Sequence, residues 1–107
     1  MDAVNVHHVG DRTEIRLAGR FVVGDMAEAH RCLSSALDRG RPIVLDGAAV
    51  SGIDTAGLQL LAVFCAAARA RGLGARWLQA SAPLRENAAL LGLSELLALE
   101  DTADVHH

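Results

Sequence analysis

The stretch that most limits what this chain can fold into runs from Pro42 to Gly72. It opens with a short β-branched run, Ile43-Val44-Leu45, bracketed by Pro42 and by Asp46-Gly47. So short an apolar run between breakers reads as a buried strand. The small residues that follow, through Gly52, read as a loop. From Ile53-Asp54-Thr55-Ala56-Gly57-Leu58 onward the chain is rich in alanine and leucine until Arg71-Gly72. That composition predicts a helix, ending with arginines and a glycine as helix C-termini prefer. Asp54 is suited to cap it, because a carboxylate accepts from the free amides of the first turn. Ile53 and Leu58 have the spacing of a hydrophobic staple.

Thr55 then takes the first helical position, beside unpaired N–H groups and the positive end of the helix dipole. A phosphate on its hydroxyl is favoured there by roughly 0.3–1 kcal/mol. Gly57 leaves the first turn bare for another surface to approach. At about 100° per residue, Gly57, Leu60, Leu61, Phe64, Cys65 and Ala68 share one side, the expected core stripe. Thr55, Gln59, Ala62, Val63, Ala66 and Ala70 share the other. A side this smooth and uncharged has two readings: a docking face for a partner, or a run of good helix formers with no further role.

These residues resemble the STAS domain, named for sulfate transporters and anti-sigma-factor antagonists. The resemblance rests on a strand, a small-residue loop and Ile-Asp-Thr-Ala-Gly-Leu at a helix start, and spans nearly the whole chain. It implies a mixed α/β sheet of four to five strands with about four helices packed mostly on one face. It further implies a non-catalytic regulatory module whose phosphoacceptor is Thr55. The implied partner surface comprises Asp54, Thr55, Ala56, Gly57, Gln59, Ala62, Val63 and Ala66. On this reading the partner is an anti-sigma factor or serine/threonine kinase, which supplies ATP and Mg²⁺, with a phosphatase reversing the modification. Anti-anti-sigma members often carry Asp-Ser-Ser-Gly or Asp-Ser-Ala-Gly where this chain has Asp54-Thr55-Ala56-Gly57. The threonine is also similar to the small STAS subunit of bacterial phospholipid-transporting ABC systems. That branch implies an ATPase subunit as partner, with no phosphate cycle.

With 107 residues, the chain has length for a single core, taken as residues 1–99 with a polar tail at 100–107. Apolar residues are 51% and charged residues 21%, the balance of a globular chain rather than a disordered one. A net charge of −3 with interspersed signs and three aromatics leaves no footprint for nucleic acid. The longest mostly apolar run, Ala56 to Ala68, is too short to cross a bilayer. No charged segment followed by an apolar one opens the chain, so secretion is not expected. Cys32 and Cys65 fall in apolar helical patterns and read as reduced core residues of a cytoplasmic protein.

Elsewhere, Val4–Val9 and Thr13–Ala18 flank Gly10-Asp11 and predict a hairpin. His7 and His8 are adjacent in a strand, so they point to opposite faces and cannot share a metal. Phe21-Val22-Val23 reads as an edge or continuation strand. Asp25 with Glu28 makes a capping-box pattern for a helix that buries Met26, Ala29, Leu33, Ala36 and Leu37 and exposes Glu28, His30, Arg31 and Ser34. Ala75–Gln79 reads as a strand with Trp77 as a packing residue. A helix follows from Pro83 to Leu91, and Ser94 caps a last turn through Leu99. Right-handed crossovers place the strands beginning at Ile43 and Ala75 parallel in one sheet. His106-His107 resemble a tag remnant and carry no chemistry in this reading. No nucleophile triad, Cys-x-x-Cys or Walker loop is present, so no catalytic residue, cofactor or metal is expected. Asp46 and Asp54 are both expected near the C-terminal edge of the sheet, where such sheets place ligands. A strand-end acid and a helix cap account for them without a metal.

Overall fold

A computed structural model describes residues 4–21 and 26–99, apart from the side chain of Met26. The chain order is β1 (Val4–Val9), β2 (Arg12–Phe21), α1 (Met26–Asp38), β3 (Ile43–Ile53), α2 (Thr55–Ala70), β4 (Arg76–Ala80), α3 (Ala82–Leu90) and α4 (Ser94–Leu97). The strands form one sheet in the order β1-β2-β3-β4. β1 and β2 are the expected antiparallel hairpin, with Val6 opposite Ile15 and Gly10 at φ 62° in the turn. β3 lies parallel to both β2 and β4, so α1 and α2 are the crossovers that parallel neighbours require.

Alternation decides which face of the sheet is covered. Thr13, Ile15 and Leu17 of β2 are buried, as are Ile43 and Leu45 of β3 and Trp77 of β4. Glu14, Arg16 and Arg76 lie on the open face. The helices therefore cover one side: α1 packs on β1 and beside α2, α3 packs on β3, and α4 joins α2 to α3. Trp77 is a packing residue as expected, and its buried indole N–H donates to the carbonyl of Leu97 at 2.7 Å.

Several boundaries differ from the sequence reading. The residues after Leu45 are not a loop, because β3 continues to Ile53. Ala48–Gly52 have little strand preference of their own, but the end of β2 pairs alongside them, Ala18 with Ala49 and Phe21 with Ile53. Tertiary pairing overrides composition here. Phe21 is the last residue of β2, while Val22, Val23 and the Asp25 cap lie outside the described residues. α3 starts earlier than Pro83, at Ala82, because the Ser81 side chain accepts from the amide of Leu84 at 3.3 Å. Ser94 is the first residue of α4 and not its cap; Leu93 holds that position without a side-chain bond.

The extension of β3 has a functional consequence. It carries the chain past the end of β4, whose last backbone contact is Ser81 N–H to Gly47 O at 3.0 Å. The chain then delivers Asp54 and Thr55 beside the end of β2. The same extension separates Asp46 from Asp54, since seven residues of strand span on the order of 20 Å. Asp46 instead accepts from the amide of Ala48 at 3.1 Å. The two carboxylates do not form a common site.

Candidate functional site

The site is built at the junction of β3 and α2. Asp54 has extended backbone, φ −100° and ψ 176°, and its carboxylate accepts from the Gly57 amide at 2.8 Å. Its own amide donates to the Phe21 carbonyl at 3.4 Å, tying the helix start to the end of β2. Gly57 is buried, and a Cβ there would stand 2.6 Å from the Phe21 carbonyl oxygen and 2.8 Å from its ring. The surface that approaches this bare turn is therefore β2 of the same chain. Gly57 thus packs against the end of β2, in keeping with its place on the expected core stripe.

This seating points Thr55 outward. It is the first residue of α2 and exposed, with the Thr55 and Ala56 amides at the end of the helix where no intrahelical acceptor exists. Gln59, Val63, Ala66 and Ala70 continue the exposed side, and Val63 is 67% exposed. The expected core stripe is buried at Gly57, Leu61, Phe64, Cys65 and Ala68, while Leu60 is only partly covered. Ala62 departs from expectation: it is 7% exposed and belongs to the core. It lies one turn after the buried Leu58 on the same flank of α2.

Beside the exposed side runs a groove of about 520 Å³ between α1 and α2, lined by Ala27, His30, Ala56, Gln59, Leu60 and Val63. It continues along the helices past Leu33, Leu37, Phe64 and Ala67. His30 was expected on a solvated face; it is exposed but flanks this apolar groove. Ala27 and Leu60 were not expected at the surface, and His30 was not expected beside an apolar groove. Their periodicity gives each helix its own inner and outer side, but only the packing of α1 beside α2 shows that the seam between them stays open.

Among the described residues, no group of three or more His, Cys, Asp or Glu side chains is placed to hold a metal ion. Cys32 and Cys65 are free thiols. Cys65 is buried, and loss of hydration pushes its thiol up to about 12, the Arg69 charge countering only in part. Cys32 is partly exposed rather than core. No described helix is long and apolar enough to cross a membrane.

A mixed sheet open on one face, with a capped helix presenting Thr55 beside the end of β2, defines a class of fold that comparison with known proteins identifies. The family described as the Mlab STAS domain matches residues 4–99. The chain belongs to the STAS domain family. No curated protein matches it. Among solved structures, the anti-sigma factor antagonist SpoIIAA in its unphosphorylated form is similar, with a TM-score of 0.72 and 21% identity over 88% of this chain and 84% of that one. The phosphorylated form of SpoIIAA, a Bacillus cell fate determinant, is similar with a TM-score of 0.69 and 21% identity over 88% and 87% of the two chains. Mglu is similar at a TM-score of 0.64 and 28% identity over 72% of this chain, but the match spans only 20% of Mglu. These likenesses concern the fold.

Proposed function

We propose that this protein is a non-catalytic regulatory module of the anti-anti-sigma kind, docking a protein partner through the first turn and outer side of α2. Thr55 is the phosphoacceptor. The observation that carries this reading is the exposed Thr55 at the head of α2, continuous through Ala56, Gln59 and Val63 with the apolar α1–α2 groove. SpoIIAA, which shares the fold, is named as an anti-sigma factor antagonist and has been solved with and without phosphate. In the proposed cycle a serine/threonine kinase that is also an anti-sigma factor, or a similar regulator, binds the unmodified face. It brings ATP and Mg²⁺ and transfers the γ-phosphoryl group to the Thr55 oxygen, releasing ADP. A phosphatase restores the hydroxyl.

The physical basis of the switch is local. The phosphate adds about −1.5 to −2 charge next to Asp54. In the free domain the helix dipole and the first-turn amides offset that charge. In the complex it must be desolvated against an apolar surface, so docking weakens while the domain stays folded. The cytoplasm, where such regulators work, is the proposed location.

A second reading has its own support. Thr55 followed by Ala56, together with the match to the Mlab STAS family, favours a constitutive subunit that docks on the ATPase of a phospholipid-transporting ABC system. Thr55 is then a contact and no phosphate is exchanged. Affinity capture from the source cell with wild type, Thr55→Asp and Val63→Asp as baits separates the two. Loss of a kinase-like regulator from both variants supports the switch. Recovery of a transporter ATPase by wild type supports the second reading, and full retention of the same partner by both variants overturns the docking site.

A further inference from the structure

The opposite end of the fold carries a second concentration of chemistry, away from Thr55. His8 of β1 pairs with Thr13 of β2 on the helix-covered face, and its Nδ1 lies 3.4 Å from the Thr13 hydroxyl. Across from it, Arg31 and Ser35 lie one turn apart on α1, and with Val6, His8 and Cys32 they line a cleft of about 280 Å³. Arg39 follows Ser35 by four residues, just past the end of α1. Arg41 is held at the same end by donating to the Gly10 carbonyl at 3.4 Å.

The charges around this cleft are unbalanced. Arg31 and Arg39 make no ion pair among the described residues. Of the nearby acids, Asp38 faces away to Arg71 at 3.6 Å, and Glu14 lies on the open sheet face with Arg12 at 3.7 Å. Asp11 is exposed in the hairpin turn, and Glu28 sits one turn earlier on α1 than Arg31. His8 is held below the ordinary histidine range by partial loss of hydration and then by the charges of Arg39, Arg41 and His7. No carboxylate among the described residues acts on it in the opposite sense. The C-terminal end of α1 contributes about half a negative charge, too little to cancel three guanidinium groups.

We propose that the cleft between β1 and α1 is a binding site for a phosphate monoester, with Arg31, Ser35 and His8 as direct donors and Arg39 and Arg41 supplying rim charge. Guanidinium groups meet several oxygens of a tetrahedral dianion at once. The Ser35 hydroxyl and a ring N–H of His8 add donors from two other directions. The volume holds the phosphate and a short organic portion, while Val6 and Cys32 give that portion a less polar wall. The ester is either a soluble metabolite or the headgroup of an anionic lipid. The site does not rest on the role proposed for Thr55.

The test is an NMR titration of the histidine ring resonances with inorganic phosphate, at constant ionic strength maintained with chloride. The expected result is a saturable shift of His8, not shared by His7 or His30. The bound anion favours the charged imidazole, so the His8 ring titration recorded with phosphate present should move upward from its lowered position. Arg31→Gln weakens binding by about fivefold, the loss of one exposed charge-assisted contact, whereas Arg16→Gln on the open sheet face leaves it unchanged. A parallel flotation assay uses phosphatidylcholine vesicles containing phosphatidic acid. Co-flotation of wild type but not of Arg31→Gln assigns the lipid source, and phosphate binding without co-flotation assigns a soluble ester. A non-saturating shift common to His7, His8 and His30, or equal binding by Arg31→Gln, overturns the proposal.

Discussion

Replacing Gly57 with alanine is a sharp test of how the site is held. On an ordinary helix the substitution stabilises by about 1 kcal/mol, because glycine is the poorer helix former. Here the added Cβ falls 2.6 Å from the Phe21 carbonyl oxygen, 2.8 Å from its ring and 3.1 Å from Ile53 Cγ1. The ring can turn, but the carbonyl belongs to paired backbone at the end of β2, so α2 must move outward. Overpacking of this kind costs about 1–3 kcal/mol, and displacement also stretches the contact from the Asp54 amide to Phe21, which starts at 3.4 Å. Set against the propensity gain of about 1 kcal/mol, and with the Asp54 contact weakened as well, the expected net loss is up to about 2 kcal/mol. Urea unfolding followed by Trp77 fluorescence measures it as a lower midpoint with an unchanged slope. Hydrogen exchange should also show faster exchange at the Gly57 and Leu58 amides. A variant as stable as wild type, with the same exchange at the first turn, would refute the close seating of α2 on β2.

Other expectations concern the core and the thiols. Trp77→Phe removes the indole donor and leaves the buried Leu97 carbonyl unpaired, costing about 1–3 kcal/mol before any cavity term; thermal unfolding and exchange at α4 report it. Ellman's reagent should modify Cys32 in the native protein and reach buried Cys65 only on unfolding. The Cys65 thiol is raised to about 12 when folded but titrates near ~8.5 in the unfolded chain. The folded state therefore holds its proton where the unfolded state has lost it. Stability is complete below the unfolded value and falls above it by about 1.4 kcal/mol per pH unit. Cys65→Ala should remove that alkaline slope in denaturant melts recorded between the two values.

Local signals in the sequence were enough for the hairpin, the parallel strands and the capped start of α2. Each rests on residues whose chemistry acts within a few positions: Gly10 in the turn, Asp54 at the cap, Ile43 and Leu45 alternating into the core. The length of β3 was hidden, because Ala48, Ala49 and Gly52 become strand only through the neighbouring end of β2. Gly57 was legible as a bare turn, but what fills the space is a residue 36 positions earlier in sequence, Phe21. Ala62 illustrates the same limit. A helical wheel assigns it to the outer side, yet the folded domain buries it. The α1–α2 groove belongs to neither helix alone, so His30 read as a solvated residue until the two were packed side by side.

Under the proposed function, Thr55 is a switch within a docking face. Calorimetric titration of the captured partner against unmodified protein and protein phosphorylated at Thr55 tests it most directly. The unmodified form should bind tightly, and binding should be about tenfold weaker or worse once the phosphate is present, a difference of at least ~1.4 kcal/mol. Circular dichroism of the two forms should coincide, since the helix start accommodates the added charge. Equal affinities would contradict the switch and leave Thr55 as an ordinary first-turn residue.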